Sequence, residues 1–153
     1  MKTQVLPVVT GILGYEFRYA QAAEEVRDLV EAIVTEAPVR YSQVYVWDRP
    51  CRQSDDGSVH EFPRGRLRIT TNRTTGWGAL NYMHPGAPYG ALVDSLNPDA
   101  TEHTPALLFD PVGDLWFPAS ASLPLEKVRE AVAEYCRTSA RPTCVQWQPG
   151  AWS

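Results

Sequence analysis

No run of this sequence stays apolar for the roughly 18 residues that a membrane span requires. Cysteine is scarce. Cys51, Cys136 and Cys144 make no even set for a disulfide framework, and their spacings fit no zinc pattern. They read as reduced thiols, which points to the cytoplasm. Positive charge is missing from a long stretch, since no Lys or Arg stands between Arg73 and Lys127. The net charge of −4 and a pI near 5.3 argue against direct nucleic-acid binding, which needs basic groups to neutralise phosphates. The basic-free stretch holds Asp94, Asp99, Glu102, Asp110, Asp114 and Glu126, whereas Arg49 to Arg73 just before it is rich in Arg. Such segregation is an argument about partners. It reads either as an acidic docking face or as a loop-rich region that happens to lack basic residues.

Motifs for chemistry are missing too. A cysteine nucleophile would need His84 or His103 within hydrogen-bond reach, and both histidines lie in Pro- and Gly-rich stretches. A zinc deaminase would show His-x-Glu and Pro-Cys-x-x-Cys, of which His60-Glu61 and Pro142-Thr143-Cys144 are superficial echoes. Gly76-Trp77-Gly78 lacks the spacing of a phosphate-cradling loop. Paired acids for glycoside hydrolysis are the least excluded enzymatic reading, because such pairs need not be close in sequence. We expect no catalytic residue, no metal and no cofactor.

What is present is an ordinary globular composition, 44% hydrophobic and 21% charged, in 153 residues. That length favours a single domain over 1–153, with a core large enough to fold without staples. The N-terminal apolar run Val5 to Leu13 is interrupted by Pro7, and Glu16 and Arg18 precede the Ala20-Gln21-Ala22 that mimics a cleavage site, so it reads as structure. Asn72-Arg73-Thr74 is then a chance sequon.

Periodicity predicts strands at Gln4 to Thr10 and Tyr15 to Tyr19, with a turn between Gly11 and Gly14. A helix follows over Ala22 to Glu36, striped by Val26, Leu29, Val30, Ile33 and Val34 and closed by Pro38. Ser42 to Trp47 is apolar on both faces and predicts a central strand. A polar excursion, Arg49 to Gly65, turns at Asp55-Asp56-Gly57, and strands resume at Leu67 to Thr71 and Trp77 to Met83. His84 to Pro105 reads as loop with a short strand near Ala91 to Asp94, before a hairpin of Leu107 to Phe109 with Leu115 to Phe117. A second helix, striped by Leu125, Val128, Ala131, Val132 and Tyr135, begins with Pro124 in its first turn and ends near Thr138, and Cys144 to Trp147 is a last strand. The fold class is α+β, a mostly antiparallel sheet with two helices in the order ββ-α-β-meander-α-β.

The aromatics, five Trp, seven Tyr and four Phe, bear on partners. Trp77, Tyr82, Tyr89 and Trp116 fall inside the basic-free stretch. Tyr and Trp anchors within a polar rim are what protein interfaces use, although each ring has an alternative place in the core. Trp77 and Trp116 are on predicted strands and read as core, whereas Tyr89 beside Gly90 reads as exposed. The candidate partner-binding residues are Trp77, Tyr82, Tyr89, Asp94, Asp99, Glu102, Asp110 and Asp114. A competing reading makes Tyr89 and Trp77 stacking platforms of a small-molecule or carbohydrate-binding module.

From Gly78 onward the chain resembles one family. Three stretches carry the likeness: Gly78-Ala79-Leu80-Asn81-Tyr82, Ser95-Leu96-Asn97-Pro98-Asp99-Ala100, and a C-terminal block. That block runs from Phe117-Pro118 through Leu123-Pro124-Leu125-Glu126 to Ala140-Arg141-Pro142-Thr143-Cys144-Val145-Gln146-Trp147, with Arg-Pro-x-x-Val-x-Trp the most specific part. They resemble the first-numbered immunity-protein family of bacterial polymorphic toxin systems, common in actinobacteria. Ser139-Ala140 stand where a glycine is usual. The resemblance implies a cytoplasmic antitoxin whose partner is a cognate toxin domain, often a nucleic-acid deaminase. It carries no catalytic residue, and it implies a structural place for Trp147.

Overall fold

The computed structural model describes residues 6–36, 41–86 and 92–153. Strand β1 (Val8–Leu13) turns into β2 (Glu16–Ala20) through Gly14 and Tyr15. Gly14 has φ 66° and Tyr15 keeps a negative φ, the pattern of a two-residue turn that requires glycine at its first position. The turn thus lies later than the pattern of glycines predicts. Gly11 is inside β1 because a Cβ there would stand 2.8 Å from a Leu29 methyl, so its bareness lets the first helix sit close. Residues 4 and 5 of the expected first strand are outside the described residues, as is Pro38.

Helix α1 (Ala23–Thr35) buries Leu29, Val30, Ile33 and Val34, as its stripe predicts. Ala22 has no side-chain acceptor to cap the helix, so the start is held by Glu25, whose Oε1 accepts from the backbone N–H of Ala22 at 2.9 Å and of Gln21 at 3.2 Å. Next come β3 (Ser42–Trp47), the two-residue strands β4 (Arg52–Gln53) and β5 (His60–Glu61), β6 (Arg66–Asn72), β7 (Trp77–Met83) and β8 (Leu92–Leu96). After β9 (Leu108–Asp110), β10 (Leu115–Trp116), a 3-10 turn at Ala119–Ala121 and β11 (Leu123–Pro124), α2 (Leu125–Thr138) leads to β12 (Gln146–Pro149). Pro124 caps α2 rather than lying in its first turn.

The main sheet has the order β12-β8-β7-β6-β3-β1-β2, with β11 also on β7, and every pairing in it is antiparallel. The fold is therefore α+β, two helices with an antiparallel sheet. Strand β3 is interior, as its double-sided apolar pattern requires. Both helices cover one face. There Val9, Leu13, Val44, Leu67, Ile69, Leu80, Tyr82 and Val93 of the sheet join Ile33, Val34, Val128, Val132 and Tyr135 in one core. Arg129 of α2 grips Glu31 of α1 through two 3.0 Å bonds across the helix pair.

The C-terminal block is anchored to α2. Ser139 ends the helix at φ 59°, a left-handed position where glycine costs least, with its N–H on Tyr135 at 2.8 Å. Glu134 then accepts the Thr143 and Cys144 N–H groups at 2.5 and 3.2 Å. Trp147 donates its indole N–H to Pro142 at 2.8 Å and packs its ring 6.2 Å from that of Tyr82.

Candidate partner-binding surface

The other face of the sheet is covered by irregular chain. The excursion after β3 folds its tip into the β4–β5 hairpin and holds Cys51, fully buried, by a backbone bond to Thr10 Oγ1 of 3.1 Å. The segment from 97 to 122 lies over β7 and β8. Its Leu107, Phe109, Phe117 and Ala121 form a second cluster with Ala79, and Trp77 and Leu115 pack against it. Ser95 of β8 fastens this cover to the sheet through a bond to the Ala121 carbonyl at 2.7 Å, and Asn97 ties the two ends of the cover together through a bond to the Ser122 carbonyl at 3.0 Å.

Beneath that layer the strands carry polar residues. The Arg68 guanidinium is stacked between the rings of Tyr41 and Phe109, 3.4 and 3.7 Å from their centroids, and donates to the Phe109 carbonyl. Arg66 donates to Asn81 Oδ1 at 3.0 Å, and Asn81 donates onward to Asp94 at 2.9 Å and to the Trp152 carbonyl at 3.2 Å. Burial pushes the Asp94 carboxyl above its ordinary range, and the Asn81 bond opposes the shift. Burial likewise lowers the Arg66 pKa. Burial raises the Cys51 and Cys144 thiols and pushes Cys136 up to about 12, so all three are protonated near neutrality.

The sequence-derived candidates divide in this frame. Tyr82 is only 6% exposed and belongs to the helix-side core, edge-on to Tyr135. Asp94 is 2% exposed and serves the buried network. Neither offers a contact surface as folded, because strand alternation turns one toward the helices and the other under the loop cover. Trp77 is partly buried against the second cluster and lines an open pocket of about 540 Å³ with Asp99, Lys127 and Cys144. Tyr89 is outside the described residues. Asp110 turns its carboxylate onto the backbone of its own hairpin, accepting from Val112 at 2.9 Å. Asp99, Glu102 and Asp114 are exposed.

Trp116 departs from its predicted core position. The register shifts between Leu115 and Trp116, so Leu115 and Phe117 turn inward and Trp116 turns out, 50% exposed. Its indole N–H donates to Asp114 at 3.1 Å, and Trp152 donates its own indole N–H to the Trp116 carbonyl at 3.1 Å. With Trp152 at 38% exposure, the hairpin and the C-terminal tail present two exposed indoles beside Asp114, and Val112 at the hairpin turn is 78% exposed. Sequence reasoning misses Trp152; its one signal is a tryptophan in a polar tail.

Exposed aromatic residues beside a polar rim, on loops, are features that protein interfaces use. The chain belongs to the immunity-protein family Imm1, whose model, described as Immunity protein Imm1, matches residues 16–149. Membership gives it an immunity role exercised by binding a cognate toxin protein. No curated protein matches the chain. Among the described residues no helix is long and apolar enough to cross a membrane.

Proposed function

We propose that this chain is the cytoplasmic antitoxin of a bacterial polymorphic toxin system, acting as one domain, and that its toxin is a nucleic-acid deaminase. The observation that supports this reading is the basic-free stretch between Arg73 and Lys127, in which Asp99, Glu102 and Asp114 are exposed and Trp116, half-exposed, donates to Asp114. A toxin that works on nucleic acid presents a basic, concave substrate channel. An acidic protrusion with an aromatic anchor fits such a channel and is drawn to it by long-range attraction. The hairpin of β9 and β10, backed by the Phe109–Phe117 cluster, is a stiff vehicle for that approach.

The test is the Asp99→Lys, Glu102→Lys, Asp114→Lys triple variant against the toxic domain encoded beside this chain's gene. Association should slow by roughly 10- to 100-fold at low salt and converge toward wild type as salt rises. Unchanged association kinetics with unchanged protection of cells would remove Asp99, Glu102 and Asp114 from the interface. A rise in melting temperature with a sugar or small metabolite, and no complex with the toxin, would favour a ligand-binding module instead.

A further inference from the structure

Among the described residues β2 pairs with β1 alone, in an unbroken register over all five of its residues. It is therefore an edge strand, with no strand on its outer side among the described residues. Proteins usually blunt such an edge with like charges, bulges or a covering segment. Here the two charges, Glu16 and Arg18, are of opposite sign, and the flanking Tyr15 and Tyr19 are 69% and 48% exposed.

The segment Tyr15-Glu16-Phe17-Arg18-Tyr19 is a palindrome in shape and an antisymmetric one in charge, centred on Phe17. Two antiparallel strands related by a two-fold axis pair each residue with its mirror in the other copy. With the axis at Phe17, Glu16 of each copy faces Arg18 of the other, Tyr15 faces Tyr19, and Phe17 faces itself. Opposite charges and aromatic pairs directly across strands both stabilise a sheet. Moving the axis by one residue sets Glu16 against Glu16 or Arg18 against Arg18, which is destabilising. The strand thus specifies its own register.

The side chains are set for this arrangement. Arg18 is held by Glu36 at 2.7 and 2.8 Å, with its Nε on Glu16 at 2.8 Å, so its guanidinium is ordered before any partner arrives. Phe17 lies 6.2 Å from the Phe62 ring, and Tyr19 donates to the Cys51 carbonyl at 2.9 Å, which steadies the opposite side of the strand.

We propose that β2 is a homodimerisation edge: two copies of this chain join β2 to β2, antiparallel about an axis at Phe17, into one continuous sheet. The contact is short and falls below the about 1,200 Å² that marks standard stable interfaces, so the dimer is a weak one, formed at micromolar concentrations. Strands β2 and β12 are at opposite ends of the sheet, which leaves the Trp116–Trp152 patch free in each copy. The dimer is independent of the toxin assignment.

Sedimentation velocity of the whole chain at about 100 µM decides it, with Glu16→Arg and Arg18→Glu compared singly and mixed. Wild type should dimerise. Glu16→Arg, which keeps the Arg18–Glu36 pair, should be monomeric because the introduced arginine meets Arg18 of the other copy. Arg18→Glu should be monomeric through the reverse clash. Mixed in equal amounts, the two should form a heterodimer, since each then offers what the other lacks. A monomeric wild type, a Glu16→Arg variant that dimerises as wild type does, or two folded variants that stay apart on mixing would each overturn the proposal. Should Arg18→Glu fail to fold by circular dichroism, the comparison of Glu16→Arg with wild type decides alone.

Discussion

Strands β6, β7 and β8 carry two unlike interiors on their two faces. Toward the helices they present Leu67, Ile69, Leu80, Tyr82 and Val93; at intervening positions, toward the loop cover, they present Arg66, Arg68, Asn81 and Asp94. Both sets are buried. Alternation between apolar and polar residues ordinarily marks a strand with one wet face, and here it marks a strand with one greasy and one hydrogen-bonded interior. The helix side is non-directional and tolerant, held by area removed from water. The loop side is held by directional bonds, and a buried group left unpaired there, as the Thr70 hydroxyl is, costs more than a made bond returns. That difference places exposed aromatics on the loop side. A cover made of short hairpins and turns has no long stripe to bury, so alternate residues such as Trp116 are left facing out.

The largest expected effect is on the helix side. Leu80 is fully buried between sheet and helices. Leu80→Ala should lower unfolding free energy by about 2–5 kcal/mol, read from urea denaturation. A loss near zero would mean that the helix-side core does not hold the fold together.

Next comes Trp116→Ala, which contrasts the two sides directly. Half of this ring faces solvent, so stability should change by less than about 1 kcal/mol. Affinity for the cognate toxin should fall by roughly 30-fold or more if the indole anchors the interface. The two measurements are separate, chemical denaturation and titration calorimetry. A large loss of stability would instead make Trp116 part of the cover's own packing.

How far the sequence foretells all this follows the same division. The stripes Leu29, Val30, Ile33, Val34 and Val128, Ala131, Val132, Tyr135 are local periodicities, and both helices form where those stripes predict. The double-sided pattern of Ser42–Trp47 likewise sets β3 inside the sheet. Gly11 misleads because a glycine lacking a Cβ serves a packing contact with Leu29 as readily as a turn. The loop side depends on partners distant in the chain: Arg66 meets Asn81, Asn81 meets Trp152, and Trp152 meets Trp116. No period links those residues, so in sequence Asp94 looks like one more member of an acidic surface and Trp116 like a strand residue of the core. Acidic residues on turns and loops, Asp99, Glu102 and Asp114, are easier to place, since such segments run over surfaces.

The smallest expected effect tests the polar interior itself. Burial raises the Asp94 carboxyl's pKa above its value in the unfolded chain. Between the ordinary carboxylate value of about 3.9 and that raised value, the folded protein therefore binds more protons than the unfolded one. Stability accordingly falls as pH rises through this window and is flat above it. Asp94→Asn keeps an oxygen to accept from Asn81 and removes the charge, so the variant should be somewhat more stable than wild type at pH 7. The gain should shrink as pH falls from 7 toward about 4 and the wild-type carboxyl takes up its proton. Urea midpoints at the two pH values give the answer. A variant less stable than wild type at pH 7 would show that the ionised carboxylate is wanted where it lies, balancing Arg66 through Asn81.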